Sequence, residues 1–245
     1  MLNSPKIQFS MKTMSLIMNG NKYLVSFLIF YSVLCSANSE IPDFKARYLF
    51  ESERFDFQGV RELKTVDDQR IFSFDDDSSL IKAEFKSKFI DGTSIKSLSY
   101  DANFRFTFFR RFSSLIFDWD SLILSSKGQH EWEASLNDEV VYDPLNVQVR
   151  IRQLLKQGKK EFQLLLPELK NGEIRPNNYE VIDQTTYELN GKVYDCLIIK
   201  RIRPEEDRIT TYVVAIELDF LMMQITDDDP DGKIKLSIKE LLSFG

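Results

Sequence analysis

VYDPLNVQVRIRQLLKQGKK, residues Val141–Lys160, is the one clear helical stretch in a chain that otherwise reads as strands. Asp143 is a good N-cap, and Pro144 takes the first helical position, where a missing N–H is harmless. Val147, Ile151, Leu154 and Leu155 recur at helical spacing and form one apolar face. Gly158 offers a left-handed stop, with Lys156, Lys159 and Lys160 at the negative end of the helix dipole. Glu161–Leu166 then reads as a strand, so the helix packs on a sheet that continues on both sides of it.

Working outward, Phe44–Phe57 alternates aromatic and polar residues and reads as a strand, with Gln58-Gly59 as a turn. Val60–Val66, Arg70–Phe74, Leu80–Ile90 and Ser94–Tyr100 follow, separated by Asp-rich and Gly-containing turns. Asn103–Phe112 reads as a further strand with Phe104, Phe106 and Phe108 on one face, while Ser113–Leu124 fits either a strand or a helical turn. Beyond the helix, Asn190-Gly191 is the strongest hairpin signal, between Tyr179–Leu189 and Lys192–Arg203. Arg208–Asp219, Phe220–Thr226 and Lys233–Ser243 complete the pattern. Neither half has a second layer of its own to bury an apolar face. The expectation is therefore one domain over residues 40–245. It is all-β and mainly antiparallel with one α-helix, a strongly curved sheet or open barrel with the helix packed on its concave side.

The first 39 residues read as a signal peptide. They contain Lys6, Lys12 and Lys22 and no acidic residue, and Tyr23–Leu34 is an apolar run of signal-core length. Ala37 and Ser39 suit cleavage, and Met11, Met14 or Met18 are alternative starts. An uncleaved membrane anchor is the rival reading; a lipoprotein signal at Cys35 is disfavoured by Leu34 before it. From Glu40 onward the chain holds 29 basic and 38 acidic residues, a net −9 without a basic stripe, which argues against nucleic acid as a partner. Cys196 is then the lone cysteine, so an intrachain disulfide and a Cys-based metal site are excluded.

Candidate chemistry is thin. In Asp227–Gly232, DDDPDG, Asp227, Asp229, Asp231 and Gly232 match the first half of a calcium loop. The twelfth position is Ile238 and no helices flank it, so a Pro-Asp-Gly β-turn accounts for the same residues. Asp118-Trp119-Asp120 reads as a surface pair beside a half-buried Trp. His130 has neither a nucleophile elbow nor a second histidine to work with. Cys196, mid-strand, reads as buried and inert. No catalytic residue, metal or cofactor is expected.

Tyr142-Asp143-Pro144-Leu145 with Arg150 and Arg152, Tyr179–Ile182, the Asn190-Gly191 hairpin, Tyr212–Ile225 and Asp231-Gly232 together resemble the exported bacterial family called domain of unknown function 3108. The pattern is clearest from Tyr142 to Leu241. That family tends to carry a Trp near Val213 and prolines near Ile216 and Met222, which this chain lacks. The resemblance implies an envelope or periplasmic protein built on a large bent antiparallel sheet.

The leading functional expectation is a non-catalytic periplasmic protein that binds an apolar or amphipathic ligand such as a lipid or lipoprotein acyl chain. Phe104, Phe106 and Phe108 from the sheet, with Leu154 and Leu155 from the helix, are the candidate ligand-binding residues. The alternative is an envelope structural or assembly factor acting through protein contacts, and no transmembrane span is expected after Glu40. A groove of roughly several hundred cubic ångströms points to the first reading, and a helix packed tight on the sheet to the second.

Overall fold

A computed structural model describes residues 40–76, 81–106, 109–203, 207–230 and 232–245. The first eight strands are β1 (Phe44–Ser52), β2 (Asp56–Val66), β3 (Gln69–Asp76), β4 (Ile81–Ile90), β5 (Lys96–Phe106), β6 (Phe109–Asp118), β7 (Ile123–Gly128) and β8 (Trp132–Ser135). Helix α1 (Asn146–Lys156) follows, and then β9 (Glu161–Pro167), β10 (Ile174–Leu189), β11 (Lys192–Ile202), β12 (Ile209–Ala215), β13 (Leu221–Asp229) and β14 (Gly232–Phe244). All fourteen strands form one antiparallel sheet in the order 8-7-6-5-4-3-2-1-14-13-12-11-10-9. Two meanders are thus joined at the centre by β1 and β14, where Phe44 faces Phe244 and Ser52 faces Ile234.

The sheet curls but does not close. Its free edges are β8 and β9, and three contacts draw them together. Val141 makes a parallel bridge to Leu165, and the Tyr142 N–H donates to the Leu165 carbonyl at 2.9 Å. Trp132 Nε1 donates to the Leu169 carbonyl at 3.1 Å. Gly172 lets the Trp132 ring lie flat against the chain: a Cβ there would sit 2.4 Å from it, and the residue has φ +77°.

Helix α1 enters the concave side from this seam. Nine of its eleven residues are buried, among them Asn146, Gln148, Arg152 and Gln153. The apolar face expected from the sequence is there, but the polar face is buried too, because the barrel wall surrounds it and offers hydrogen-bond partners. The helix start is set as expected in its chemistry and two residues later in its regular geometry. Asp143 Oδ1 accepts the N–H groups of Leu145 and Asn146, and Asn146 Oδ1 accepts the N–H of Asp143. That reciprocal pair is a capping box around a Pro144–Leu145 turn. At the other end Gly158 takes φ +77° and the Lys159 N–H reaches the Leu154 carbonyl at 3.0 Å.

Several strand boundaries differ from the sequence reading. The strand expected over Phe44–Phe57 breaks after Ser52, where Ser52 and Asp56 hold a tight turn through side-chain bonds to backbone N–H groups. Gln58-Gly59 is not a turn but part of β2, and Gly59 is glycine because the Phe74 ring occupies the place of its Cβ. Asn103–Phe112 is two strands, with Phe106 facing Phe109 across a hairpin. Ser113–Leu124 resolves into the end of β6, a turn and the start of β7. The strand expected over Arg208–Asp219 stops at Ala215, since Ile216–Leu218 form a 3-10 turn and Asp219 and Phe220 take positive φ. Asn190 and Gly191 take φ 52° and 77°, the pair of left-handed residues a type I′ hairpin requires.

Candidate functional site

The interior of the curled sheet is the candidate site, and it divides into three regions. Around the start of the helix, Ser87 on β4 and Ser97 on β5 occupy inward positions where small side chains let the helix approach. Ser87 Oγ donates to Asp143 Oδ2 at 2.6 Å, Ser97 Oγ donates to the Val141 carbonyl at 2.8 Å, and Asn146 Nδ2 donates to Ser97 Oγ at 2.9 Å. Burial drives the Asp143 carboxyl up to about 7, against the three hydrogen bonds it accepts. A Ser beside an Asp suggests acid–base chemistry, but both are sealed in the core and hold the helix cap.

Around the middle of the helix sit two arginines. Arg61 on β2 and Arg152 on α1 are 1% and 2% exposed. Arg61 lies between the Tyr48 and Phe72 rings, 5.0 and 4.7 Å from their centroids, and donates to Gln148 Oε1 at 2.6 Å. Arg152 lies over Phe44 at 5.4 Å and donates to the carbonyls of Asp219 and Leu218 at 2.9 and 3.3 Å. Desolvation lowers both guanidinium pKa values, that of Arg152 to about 9. Tyr48 donates to the Met222 carbonyl at 2.6 Å, and burial keeps it a neutral phenol. Arg70 on β3 is buried as well, but it meets Asp43 and Asp91 at 3.0 and 3.2 Å. Arg61 and Arg152 line a cavity of about 10 Å³ with Phe44, Phe72, Met222 and Gln148.

The far end of the barrel is aromatic. Phe50, Phe55, Phe57, Phe74, Phe85, Phe104 and Phe106 form a chain of ring contacts, with Phe55 against Phe104 at 5.7 Å and Phe106 at 5.4 Å. Phe104 and Phe106 are half-buried; Phe108 lies outside the described residues. Leu154 and Leu155 are buried, 8% and 5% exposed. These leucines belong to the C-terminal turn of the helix, near the β4–β5 turn that Gln153 reaches through Asp91. Phe104 lies seven residues beyond Ser97 along β5, roughly 23 Å further down the strand. The fold therefore sets the two groups of candidate residues at opposite ends of the interior rather than in one groove.

The remaining candidates have structural employment. Asp227 is the partner of Arg208 and Thr210 at the end of β13. Asp118 accepts the N–H groups of Asp120 and Ser121 in the β6–β7 turn, while Trp119 Nε1 donates to the Ser97 carbonyl. His130 is exposed beside β7. Cys196 is buried, and desolvation pushes its thiol up to about 11. Among the described residues there is no group of three or more His, Cys, Asp or Glu able to hold a metal ion, and no helix long and apolar enough to cross a membrane. Sequence reasoning missed Arg61 and named Arg152 only as part of the family resemblance, not as a site residue. For Arg61 the signal was there: it shares the inward face of β2 with Phe57 and Leu63 at period two.

The fold and this interior define a class: a β-barrel-like antiparallel sheet, not closed, with one helix inside. No family model matches the chain, and no curated protein matches it. In fold it is similar to a solved structure, a β-barrel-like protein of domain of unknown function DUF1849 from Brucella abortus. The two share 10% identity over 82% of this chain and 98% of that one, with a TM-score of 0.52. The likeness is one of fold, and it indicates no catalytic family.

Proposed function

We propose that the protein is a non-catalytic component of the bacterial envelope that works through protein contacts. The observation that carries this reading is the close packing of α1: nine of its eleven residues are buried, and the cavity beside it at Arg61 and Arg152 holds about 10 Å³, where an acyl chain would need a groove of roughly several hundred. The Lys-containing, acid-free N-terminal segment with its apolar run supports export, as does the resemblance to the exported family of domain of unknown function 3108. Contacts have an opening on the sheet as well. From Asp183 to Leu189 strand β10 pairs only with β11, and Ile182–Thr186 are exposed. Such an edge accepts an added strand. The test is native mass spectrometry of the protein purified from its own periplasm. The expected spectrum shows the bare chain or a protein complex, and a stoichiometric lipid adduct overturns the reading.

A lipid-binding reading rests on the aromatic end alone. The half-buried Phe104 and Phe106, with Phe55 stacked between them and the rest of the cluster, supply an apolar wall. Displacement of a fluorescent fatty acid distinguishes the two readings.

A further inference from the structure

We propose that the cavity between Arg61 and Arg152 is a binding site for a small monovalent anion of halide size. Both side chains are sealed from solvent, and neither has a carboxylate within ion-pair distance among the described residues. Each keeps one guanidinium nitrogen, Nη1, buried without a hydrogen-bond partner. Both arginines line the same cavity. Two unpaired cations at one place in a low-dielectric interior repel each other, and each retains its desolvation penalty.

The neighbours that might neutralise them are committed elsewhere. Tyr48 keeps its proton for the Met222 carbonyl and offers Arg61 only a neutral phenol oxygen, Gln148 brings a neutral amide, and the carboxylate of Asp219 is held by Lys156 at 2.9 Å. The Leu218 and Asp219 carbonyls supply partial charge to Arg152 alone. A water would accept from one or both Nη1 groups but bring no charge. An anion answers both needs. The cavity volume is close to the minimum for one water, so a polyatomic anion such as sulfate is too large. A halide is larger than water but far smaller than sulfate, and the flexible Met222 on the wall has to give way for it to enter. Arg70, which has two carboxylates, shows what the same barrel does with an inward arginine when no such site is built.

The experiment compares thermal unfolding of the whole protein in sodium chloride, bromide, sulfate and gluconate at equal ionic strength. The expected result is a midpoint raised by a few degrees in the two halides relative to gluconate, saturating with concentration, where sulfate gives only the non-saturating rise of an excluded salt. Arg152→Gln should abolish that increment. Crystals grown in bromide should show an anomalous peak in the cavity that both guanidinium groups line, which decides the matter if the variant does not fold. Equal midpoints in the halides and gluconate, an increment that survives in Arg152→Gln, or a water refined at the cavity in bromide each overturn the proposal.

Discussion

Asp143 does two jobs that pull in opposite directions. Its carboxylate caps the helix through two backbone N–H groups and takes the Ser87 hydroxyl, yet it is buried, and burial lifts its pKa from the ordinary 3.8 to about 7. A carboxyl raised on folding makes the native state bind the extra proton, so its contribution to stability is fullest below the ordinary carboxylate range. That contribution falls as pH rises toward 7. Asp143→Asn keeps an acceptor for the cap and removes the titration; its denaturation midpoint relative to wild type should rise between acid and neutral pH. Asp143→Ala removes the cap and strands Ser87 and Asn146 as well, and should cost about 2–4 kcal/mol in urea unfolding. Cys196, with its thiol near 11 and its side chain in the core, should stay unmodified by iodoacetamide in the native protein and react on unfolding. At this scale the sequence was informative wherever backbone chemistry dictates the residue, as at Asp143, Gly158 and Asn190-Gly191. It was misleading at Gly59, where a glycine serves a neighbour's ring instead of a turn. At Arg61 it carried a period-two signal that the charge of the side chain masks when the residue is read alone.

The helix and the seam are the elements that convert an open meander into a filled barrel. Their existence was legible from Asp143 to Gly158 and from the alternating strands. What the periodicity of α1 could not convey is that its polar face is also inside, since that depends on Ser87, Ser97, Arg61 and Asp91 arriving from strands far away in sequence. The seam escaped notice because its parts, Trp132 and Gly172, are each unremarkable until they meet. Gly172→Ala adds a Cβ into the Trp132 ring at a residue with positive φ, so it should cost about 1–3 kcal/mol. Trp132 emission should shift to the red at the same time, because the ring loses its cover. An unchanged emission and midpoint would mean that the edges do not depend on this contact.

For the molecule as a whole, the fold class was readable from turn spacing, and the use of its interior was not. Twenty Phe in the chain look like cargo walls, but among the described residues seven of them pack ring against ring at one end of the barrel while α1 occupies the concave side. Phe106→Ala tests what that end is for. Half-buried, it should cost under about 2 kcal/mol and leave fatty-acid probe binding at background, as in wild type. Probe binding by the wild type that falls in the variant would favour the lipid reading. Cell fractionation with N-terminal sequencing should find the protein in the periplasm beginning near Asn38 or Glu40, after the small residues Ala37 and Ser39. An intact Met1 or Met18 in the cytoplasm would refute export.

The pairing of β1 with β14 reaches further than the sheet itself. Contacts such as Tyr48 to Met222 and Ser237 to Glu51 span 174 and 186 residues of chain. Each wing can zip locally through its own hairpins, yet the inner faces are covered only when the two wings find each other. Loop closure over that span is slow. A chain emerging from the ribosome therefore passes through a long interval in which β1 waits with one edge unpaired. Such a protein should lean on a holding chaperone during synthesis, and joining Glu40 to Gly245 with a short linker should quicken its folding far more than it raises its stability.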